Sequence, residues 1–474
     1  MSRNPFTELA SRRRAALAAA IAALCAAIAF PGTAPGVPRD ARPNVVLILT
    51  DDQSLDSFPS NPPAMPWLQE HVFDRSDHWL WFPNAVISTP LCCPSRATIL
   101  SGEYSHHTGV LDNTLGDKFD ESNALPVWLQ QAGYHTGLVG KYLNEYPFGR
   151  PPYVPPGWDR WFAKLNPSGA ATYYRYPIID QGERVDYSDA PADYSTDVLA
   201  EQAVEFVRAA PENRPFFLEF TPSAPHGPIQ PPPRYVGAFA GVDFPRAPAF
   251  AEQDVSDKPA WVRALHQIKP PDAEQIAVAR RKESEALLAV DDAVERIVQE
   301  VTARGDLDRT VFVFLTDNGF SFGEHRHLGK TCPYEECVRT PLAIRVPWLP
   351  SARIPFLASN VDLAPTIAGL AGLPPRPTDG LDLRRVFDPR FGPPPPREGA
   401  FIEYLGGGEV PPWRGVRTAA FTYVEYTDGE AELYDRAGEL GPADPDELEN
   451  RVTDPAYAAQ RRSLAALLHA FRAE

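Results

Sequence analysis

Two short segments constrain this chain more than anything else in it. Residues 44–50 and 310–316 are continuous, apolar and β-branched, as expected of strands buried on both faces. Each ends in a threonine and runs directly into paired oxygen donors, Asp51 with Asp52 and Asp317 with Asn318. Strands covered on both sides belong to sheets sandwiched between helices, and open α/β sheets bind ligands beyond the carboxyl ends of their strands. Further strands are expected at Thr136–Val139, Pro215–Phe220 and Leu342–Val346. A helix is expected over about Ala277–Ala303, where Ala286, Leu287, Val290, Val294, Ile297 and Val301 recur at helical spacing. The fold class that follows is α/β: a large central mixed β-sheet flanked by helices. Beyond residue 375 the pattern changes. Residues 374–396 are rich in Pro, Gly, Asp and Arg, and β-like runs follow at 399–404, 415–426 and 431–435, with a helix from about Ala456. This reads as a smaller C-terminal α+β subdomain, an antiparallel sheet plus helix. The expected organisation is therefore a main domain over 42–375 and the subdomain over 376–474. The 53 prolines predict rigid loops, notably at 147–156, 228–248 and 347–356.

Residues 1–34 read as an export signal: Arg12, Arg13 and Arg14, an apolar stretch from Ala15 to Phe30, then small residues at Gly32–Ala34. Cleavage is expected, leaving no stable membrane span and a secreted, periplasmic or extracellular protein. Cys25 lies within that stretch, leaving Cys92, Cys93, Cys332 and Cys337. Four cysteines are too few for a disulfide scaffold in so long a chain. Cys332 and Cys337 are close enough for a local bridge, and Cys93 reads as a structural thiol with pairing left open. The net charge of −17 argues against a nucleic-acid partner, although a few basic side chains in a cleft still suffice to bind a small anion.

Cys92, Cys93, Pro94, Ser95 and Arg96 open an expected helix over Arg96–Leu100. Pro94 suits its first turn, and a helix start offers free N–H groups to an anion. Cys92 and Arg96 are four residues apart, on one helical face. Asp51, Asp52, Asp317 and Asn318 are hard oxygen donors of the kind that suits Ca²⁺ or Mg²⁺ rather than a thiolate-preferring metal.

The Cys-x-Pro-Ser-Arg segment at 92–96 resembles the signature of the sulfatase family, formylglycine-dependent members of the alkaline-phosphatase-like superfamily. The resemblance extends over most of the chain after the leader: 42–53 and 316–319 resemble the family's metal strands, 140–146 and 224–228 its substrate-binding segments, and 432–435 with 444–450 its C-terminal signature. Residues 91–96, 140–146 and 194–200 are most similar to the N-acetylglucosamine-6-sulfatase and extracellular heparan-sulfatase branch. The resemblance implies a sulfuric ester hydrolase. Its nucleophile is a formylglycine made from Cys92, not Cys93, since Pro must follow by two positions and Arg by four. It implies Asp51, Asp52, Asp317, Asn318 and the modified Cys92 as metal ligands, with Arg96, Lys141, His226 and Lys330 as the catalytic cluster. It also implies a sulfated small-molecule or glycan substrate and a formylglycine-generating maturation enzyme. In one respect the chain departs from many arylsulfatases: Leu143 and Asn144 stand where a second histidine is found. His325 and His327 are the candidates to replace it. Two other readings compete: a phosphodiesterase or phosphonate monoester hydrolase of the same superfamily, and a non-catalytic secreted protein that binds sulfated glycans.

Overall fold

In the computed structural model, which describes residues 40–74, 76–165 and 172–471, the segments at 44–50 and 310–316 lie side by side at the centre of a ten-stranded sheet. The expected leader at 1–34 lies outside the described residues. In chain order the strands of this sheet are β1 (Asn44–Thr50), β2 (Trp79–Trp81), β3 (His135–Lys141), β4 (Arg160–Lys164), β5 (Pro177–Asp180), β6 (Glu183–Asp186), β7 (Phe216–Thr221) and β8 (Thr310–Thr316), followed after a small hairpin, β9 (Ser321–Phe322) and β10 (Leu328–Gly329), by β11 (Leu342–Arg345) and β12 (Ala352–Arg353). Across the sheet their order is β12-β2-β11-β8-β1-β7-β3-β4-β5-β6. Five adjacent strands, β8, β1, β7, β3 and β4, run parallel, while antiparallel pairings of β11 with β8 and of β5 with β4 begin the two flanks, making the sheet mixed.

The alternation along β1 shows why this segment is apolar throughout. Val45, Leu47 and Leu49 enter one hydrophobic core, Val46 and Ile48 the other, on opposite faces. On the first face lie α1 (Cys92–Ser101), through Ala97 and Ile99, and α4 (Leu363–Leu370), through Leu363 and Ile367. On the second lie α2 (Ser195–Ala209), through Leu199 and Val204, and α3 (Pro270–Ala303), through Val290, Val294 and Ile297. Two helices differ from the sequence expectation. The first begins at Cys92 itself rather than Arg96. The long one starts at Pro270, where two prolines and Asp272 provide its entry. The C-terminal region forms a separate antiparallel sheet, β13 (Ala400–Tyr404), β14 (Trp413–Arg417), β15 (Phe421–Tyr426) and β16 (Ala431–Asp435), followed by α5 (Ala458–Phe471). The single run expected at 415–426 is thus two strands of a hairpin.

One buried group departs from the apolar rule. Glu219 sits in β7 between Leu47 and Leu138, and its Oε2 has no hydrogen-bond partner. Burial pushes its carboxyl up to about 7, only partly opposed by Arg96. An acid raised in this way holds its proton in the folded state after the unfolded chain has lost it. Its contribution is favourable at low pH and is lost as pH rises from the unfolded value near 4.5 through about 7. Glu219→Gln is therefore expected to gain stability over the parent by about 2 kcal/mol more at pH 8 than at pH 5. Urea-unfolding midpoints at the two pH values measure this. An equal difference at both would mean that the carboxyl does not titrate there.

Candidate active site

The parallel pairing of β1 with β8 is in register, Asn44 with Thr310 through Thr50 with Thr316. In-register parallel strands end at the same level, so Asp51-Asp52 and Asp317-Asn318 emerge side by side. The junction is hydrogen-bonded across: Asp317 N donates to Thr50 O at 3.0 Å, Asp52 N to Asp317 Oδ1 at 3.2 Å and Gln53 N to the Thr316 hydroxyl at 3.1 Å. Asp52 is held at φ 60°, a backbone conformation that non-glycine residues adopt mainly where the surroundings enforce it. The neighbouring parallel strands reach the same edge. β3 delivers Lys141, and the loop after β7 delivers His226, with Asp51 N bonded to Ala224 O at 3.3 Å. Gly140 allows β3 to pass this point: a Cβ there would lie 2.0 Å from the Thr221 carbonyl oxygen.

Helix α1 aims its first residue into this edge. Cys92 is fully buried, with Sγ 2.8 Å from Lys330 Nζ, 3.5 Å from Asp51 Oδ1 and 3.7 Å from Asp52 Oδ1. Arg96, one turn later, locks the helix in place: Nε donates to Asp317 Oδ2 at 2.8 Å and Nη1 to the Lys141 carbonyl at 2.9 Å, while Nη2 lies 3.8 Å from Asp51 Oδ2. Lys141 Nζ reaches Asp51 Oδ2 at 2.7 Å, and Lys330 Nζ reaches both oxygens of Asp52 at 2.7 and 3.0 Å. His226 Nε2 faces Asp52 Oδ2 at 3.4 Å. Its Nδ1 lies 2.6 Å from the Gly227 carbonyl, which can only accept, so Nδ1 carries the proton and Nε2 is the nitrogen presented to the cluster. The nine residues expected as metal ligands and catalytic cluster meet here, whereas His325 and His327 do not join them.

The charges interlock. Burial pushes the Asp51 and Asp52 carboxyls up. Lys141 with His226, Arg96 and Lys330 more than reverses this for Asp51, and Lys330 with His226 does so for Asp52, so both lie below the usual carboxylate range. Asp317 goes the other way, raised by burial and by neighbouring Asp51 despite Arg96. Burial lowers the lysines, but the carboxylates and the thiol group win, so Lys141 and Lys330 both stay charged. The Cys92 thiol is pushed far up by burial, against the pull of Lys141 and Lys330. As an unmodified cysteine it stays protonated and is a poor nucleophile. Cys93 is buried and unbridged, pushed up by burial to about 12, and its N–H donates to Asn113 Oδ1 at 2.9 Å.

For a cation the donor set fits. One ligand atom each from Asp51, Asp52, Cys92 and His226 lies within 4.8 Å of the others. Asn318 Nδ2 donates to Asp52 Oδ1 at 2.7 Å, and its buried Oδ1 has no hydrogen-bond partner. A carbonyl-type oxygen without a donor, beside three carboxylates, is what a hard divalent cation satisfies.

His325 and His327 are committed elsewhere. His325 Nδ1 bonds Glu252 at 2.8 Å, and the ring stacks on Tyr334. His327 Nε2 meets the Lys330 carbonyl at 3.0 Å, so it supports the Lys330 loop. Leu143 is packed in the hydrophobic core. The residues that the sequence did not reveal are the ones that hold the Lys330 loop. Thr331 N bonds Pro90 O at 3.1 Å and Trp413 Nε1 of the C-terminal sheet bonds Thr331 O at 2.8 Å, beside the Cys332–Cys337 disulfide that the sequence spacing allowed. Trp413 is 82 residues from its partner, a separation at which no local spacing signals a contact.

The sulfatase family model matches residues 43–373, and a model described as N-sulphoglucosamine sulphohydrolase, C-terminal, matches residues 323–474. The chain is 34% identical to human N-acetylglucosamine-6-sulfatase over 73% of this chain and 64% of that protein. It is 33% identical to the extracellular sulfatase SULF-1 homolog of Drosophila melanogaster over 73% of this chain and 31% of that one. The chain thus spans about a third to two thirds of the length of these curated relatives. A solved protein in complex with its substrate, D-glucosamine-2-N,6-O-disulfate, superposes with a TM-score of 0.78 at 25% identity, covering 91% of this chain and 97% of that one. Phosphonate monoester hydrolase of Agrobacterium radiobacter shares the fold, with a TM-score of 0.71 at 23% identity over 91% of this chain and 96% of that one.

Proposed function

The chain belongs to the sulfatase family, and on that premise we propose that it hydrolyses the sulfate ester of a carbohydrate resembling 6-sulfated N-acetylglucosamine, using a formylglycine derived from Cys92 and a divalent metal, Ca²⁺ or Mg²⁺. The observation that carries this reading is the convergence on Cys92 of two lysines, one imidazole and a hard-oxygen cluster from four adjacent parallel strands and a loop. The relatives named for N-acetylglucosamine-6-sulfate chemistry support the substrate class.

Formylglycine at position 92 supplies, as its hydrate, one hydroxyl to attack sulfur and a second whose deprotonation expels sulfate and restores the aldehyde. Asp51, Asp52, Asp317 and Asn318 would hold the cation, whose charge offsets that of the sulfuryl oxygens. Lys141 and Lys330 bring fixed positive charge to the same oxygens, in a buried setting where such charge acts strongly. His226 acts as an imidazolium: Nδ1–H stays on the Gly227 carbonyl, and the second proton, on the Nε2 that faces Asp52, passes to the leaving alcohol, Lys330 being the alternative donor. Arg96 binds Asp317 and the Lys141 carbonyl, and so orients both without reaching the substrate itself. We assign the chemistry to residues 42–375 and to residues 376–474 a buttressing role, exerted through Trp413 on the Lys330 loop. Extracellular relatives and the Cys332–Cys337 disulfide support an exported protein. A formylglycine-generating enzyme is required as maturation partner.

A panel of sulfated mono- and oligosaccharides, assayed with matured protein alongside aryl sulfates and phosphodiesters, tests the reading. Release of sulfate from the 6-sulfated N-acetylhexosamine is expected. Faster turnover of the phosphodiester would shift the assignment to phosphoryl chemistry. His226→Ala is expected to lower kcat by about 10²–10⁴-fold. It should do so least with aryl sulfates, whose leaving groups need little protonation. A uniform loss across leaving groups would assign His226 to sulfate binding alone.

A further inference from the structure

A cavity of about 430 Å³ opens directly beside the Cys92 cluster. Its walls include Asp52, together with Pro225 and Gly227, the residues on either side of His226. An ester with sulfur at Cys92 and its bridging oxygen at His226 therefore projects its alcohol into this space. The far wall is apolar. Phe320 and Phe322 follow the Asp317–Asn318 pair after Gly319, with ring centroids 4.9 Å apart, and Ile229, Ile276 and Leu328 add to the apolar lining. Polar groups come from the first turns of α3: Asp272, whose carboxylate is fixed by Lys269 N at 3.1 Å, and exposed Gln275. Glu283 also lines it, both carboxylate oxygens being held by Ser54 at 2.7 and 2.9 Å.

The charge of this lining is one-sided. Asp272 is an exposed carboxylate, Glu283 is a carboxyl pushed up to about 7 by burial, Asp52 is already paired with Lys330 at 2.7 Å, and no lysine or arginine lines the cavity among the described residues. A second cavity, of about 450 Å³, holds Arg246, Arg280 and Arg339, but none of the nine cluster residues lines it. The positive charge needed for a multiply anionic sugar is thus present in the molecule but not where the leaving group would go. Aromatic walls bind the apolar face of a ring, and volumes near the lower end of the range for small-ligand sites suit one ring rather than several.

Building on the sulfatase reading, we propose that this cavity is the leaving-group subsite and that it selects a neutral single ring, such as an N-acetylated hexosamine, over one bearing a second anion. Phe320 and Phe322 stack on the ring, Asp272 and Gln275 bond its hydroxyl or acetamido groups, and the Asp272 carboxylate, with no cation in the lining to offset it, repels an added sulfate.

Calorimetry on the Cys92→Ala protein compares binding of 6-O-sulfated N-acetylglucosamine with that of the 2-N,6-O-disulfated sugar, and kcat/KM of the matured protein is measured on the same pair. The neutral-ring ester is expected to be preferred by about tenfold in both measurements, and Gln275→Lys, on an exposed helical position, to narrow the preference about threefold or more by favouring the disulfate. Asp272→Asn should act in the same direction. Equal affinity for the two sugars, or a preference that neither substitution moves, overturns the proposal. A binding preference without turnover by formylglycine-bearing protein upholds the subsite and refutes the hydrolase reading instead.

Discussion

Replacing Cys92 by alanine is expected to leave a folded protein whose sulfate-ester turnover falls on the order of 10⁶-fold or more, to the level of the uncatalysed reaction. The size of the loss follows from what surrounds Cys92. Lys330 Nζ at 2.8 Å and the Asp51 and Asp52 oxygens at 3.5 and 3.7 Å all face its side chain. They have nothing to act through once the nucleophile is gone. Stability should change by about 1 kcal/mol, because the substitution removes one sulfur atom, and the Lys330 ammonium that donates to it keeps both oxygens of Asp52. Circular dichroism and a thermal melt check the fold, and a sulfate-release assay checks the activity. Cys92→Ser separates the two chemical steps. A serine hydroxyl can accept the sulfuryl group but has no second hydroxyl with which to expel it, so a sulfated protein should accumulate, visible by intact mass after exposure to substrate. The parent protein from a maturing host should show instead the mass loss of thiol converted to aldehyde. A plain thiol at position 92 in an active preparation would falsify the proposed nucleophile.

Arg96→Ala is expected to destabilise the protein by about 3–5 kcal/mol and to abolish activity together with it. The guanidinium is 2% exposed and bridges Asp317, the Lys141 carbonyl and, at longer range, Asp51. Its removal leaves two buried carboxylates short of their countercharge, the circumstance in which a lost ion-pair partner costs most. Arg96→Lys should restore only part of the loss, since a single ammonium cannot span two strand ends as the planar guanidinium does. Chemical denaturation measures the stability. A loss below about 1 kcal/mol would mean that the cluster does not depend on this bridge. Saturating Ca²⁺ should raise the stability of the variant above its cation-free value, because a cation bound only by the folded state adds stability by mass action.

How far these features were legible in the sequence depended on the range of the interaction. The central strands were visible because burial on both faces demands uninterrupted apolar residues, as in Val45–Leu49 and Val311–Leu315. Strand ends shifted by one or two residues, as at His135–Lys141, because the last pairings of a strand are set by its neighbours. Helix α1 was read four residues short because Cys92 and Cys93 give no helical signal of their own; the buried surroundings and the Asn113 contact hold them in the first turn. His325 and His327 drew attention through residue type alone. The structure gives His325 to Glu252 and makes His327 a prop for the Lys330 backbone.

By itself the sequence determined the α/β class, the two strand-end donor pairs and the position of Cys92 in its motif, since each is a local pattern whose chemistry is carried by adjacent residues. Tertiary structure alone decided how these parts meet. The in-register pairing of Thr50 with Thr316 sets Asp51 and Asp317 at one level. Arg96 reaches across 221 residues of chain to Asp317, and Lys330 across 238 to Cys92. Trp413, in a separate sheet, holds the loop that brings Lys330 there. Contacts between residues so far apart in the chain arise from the packing of whole elements, and no spacing within one segment encodes them.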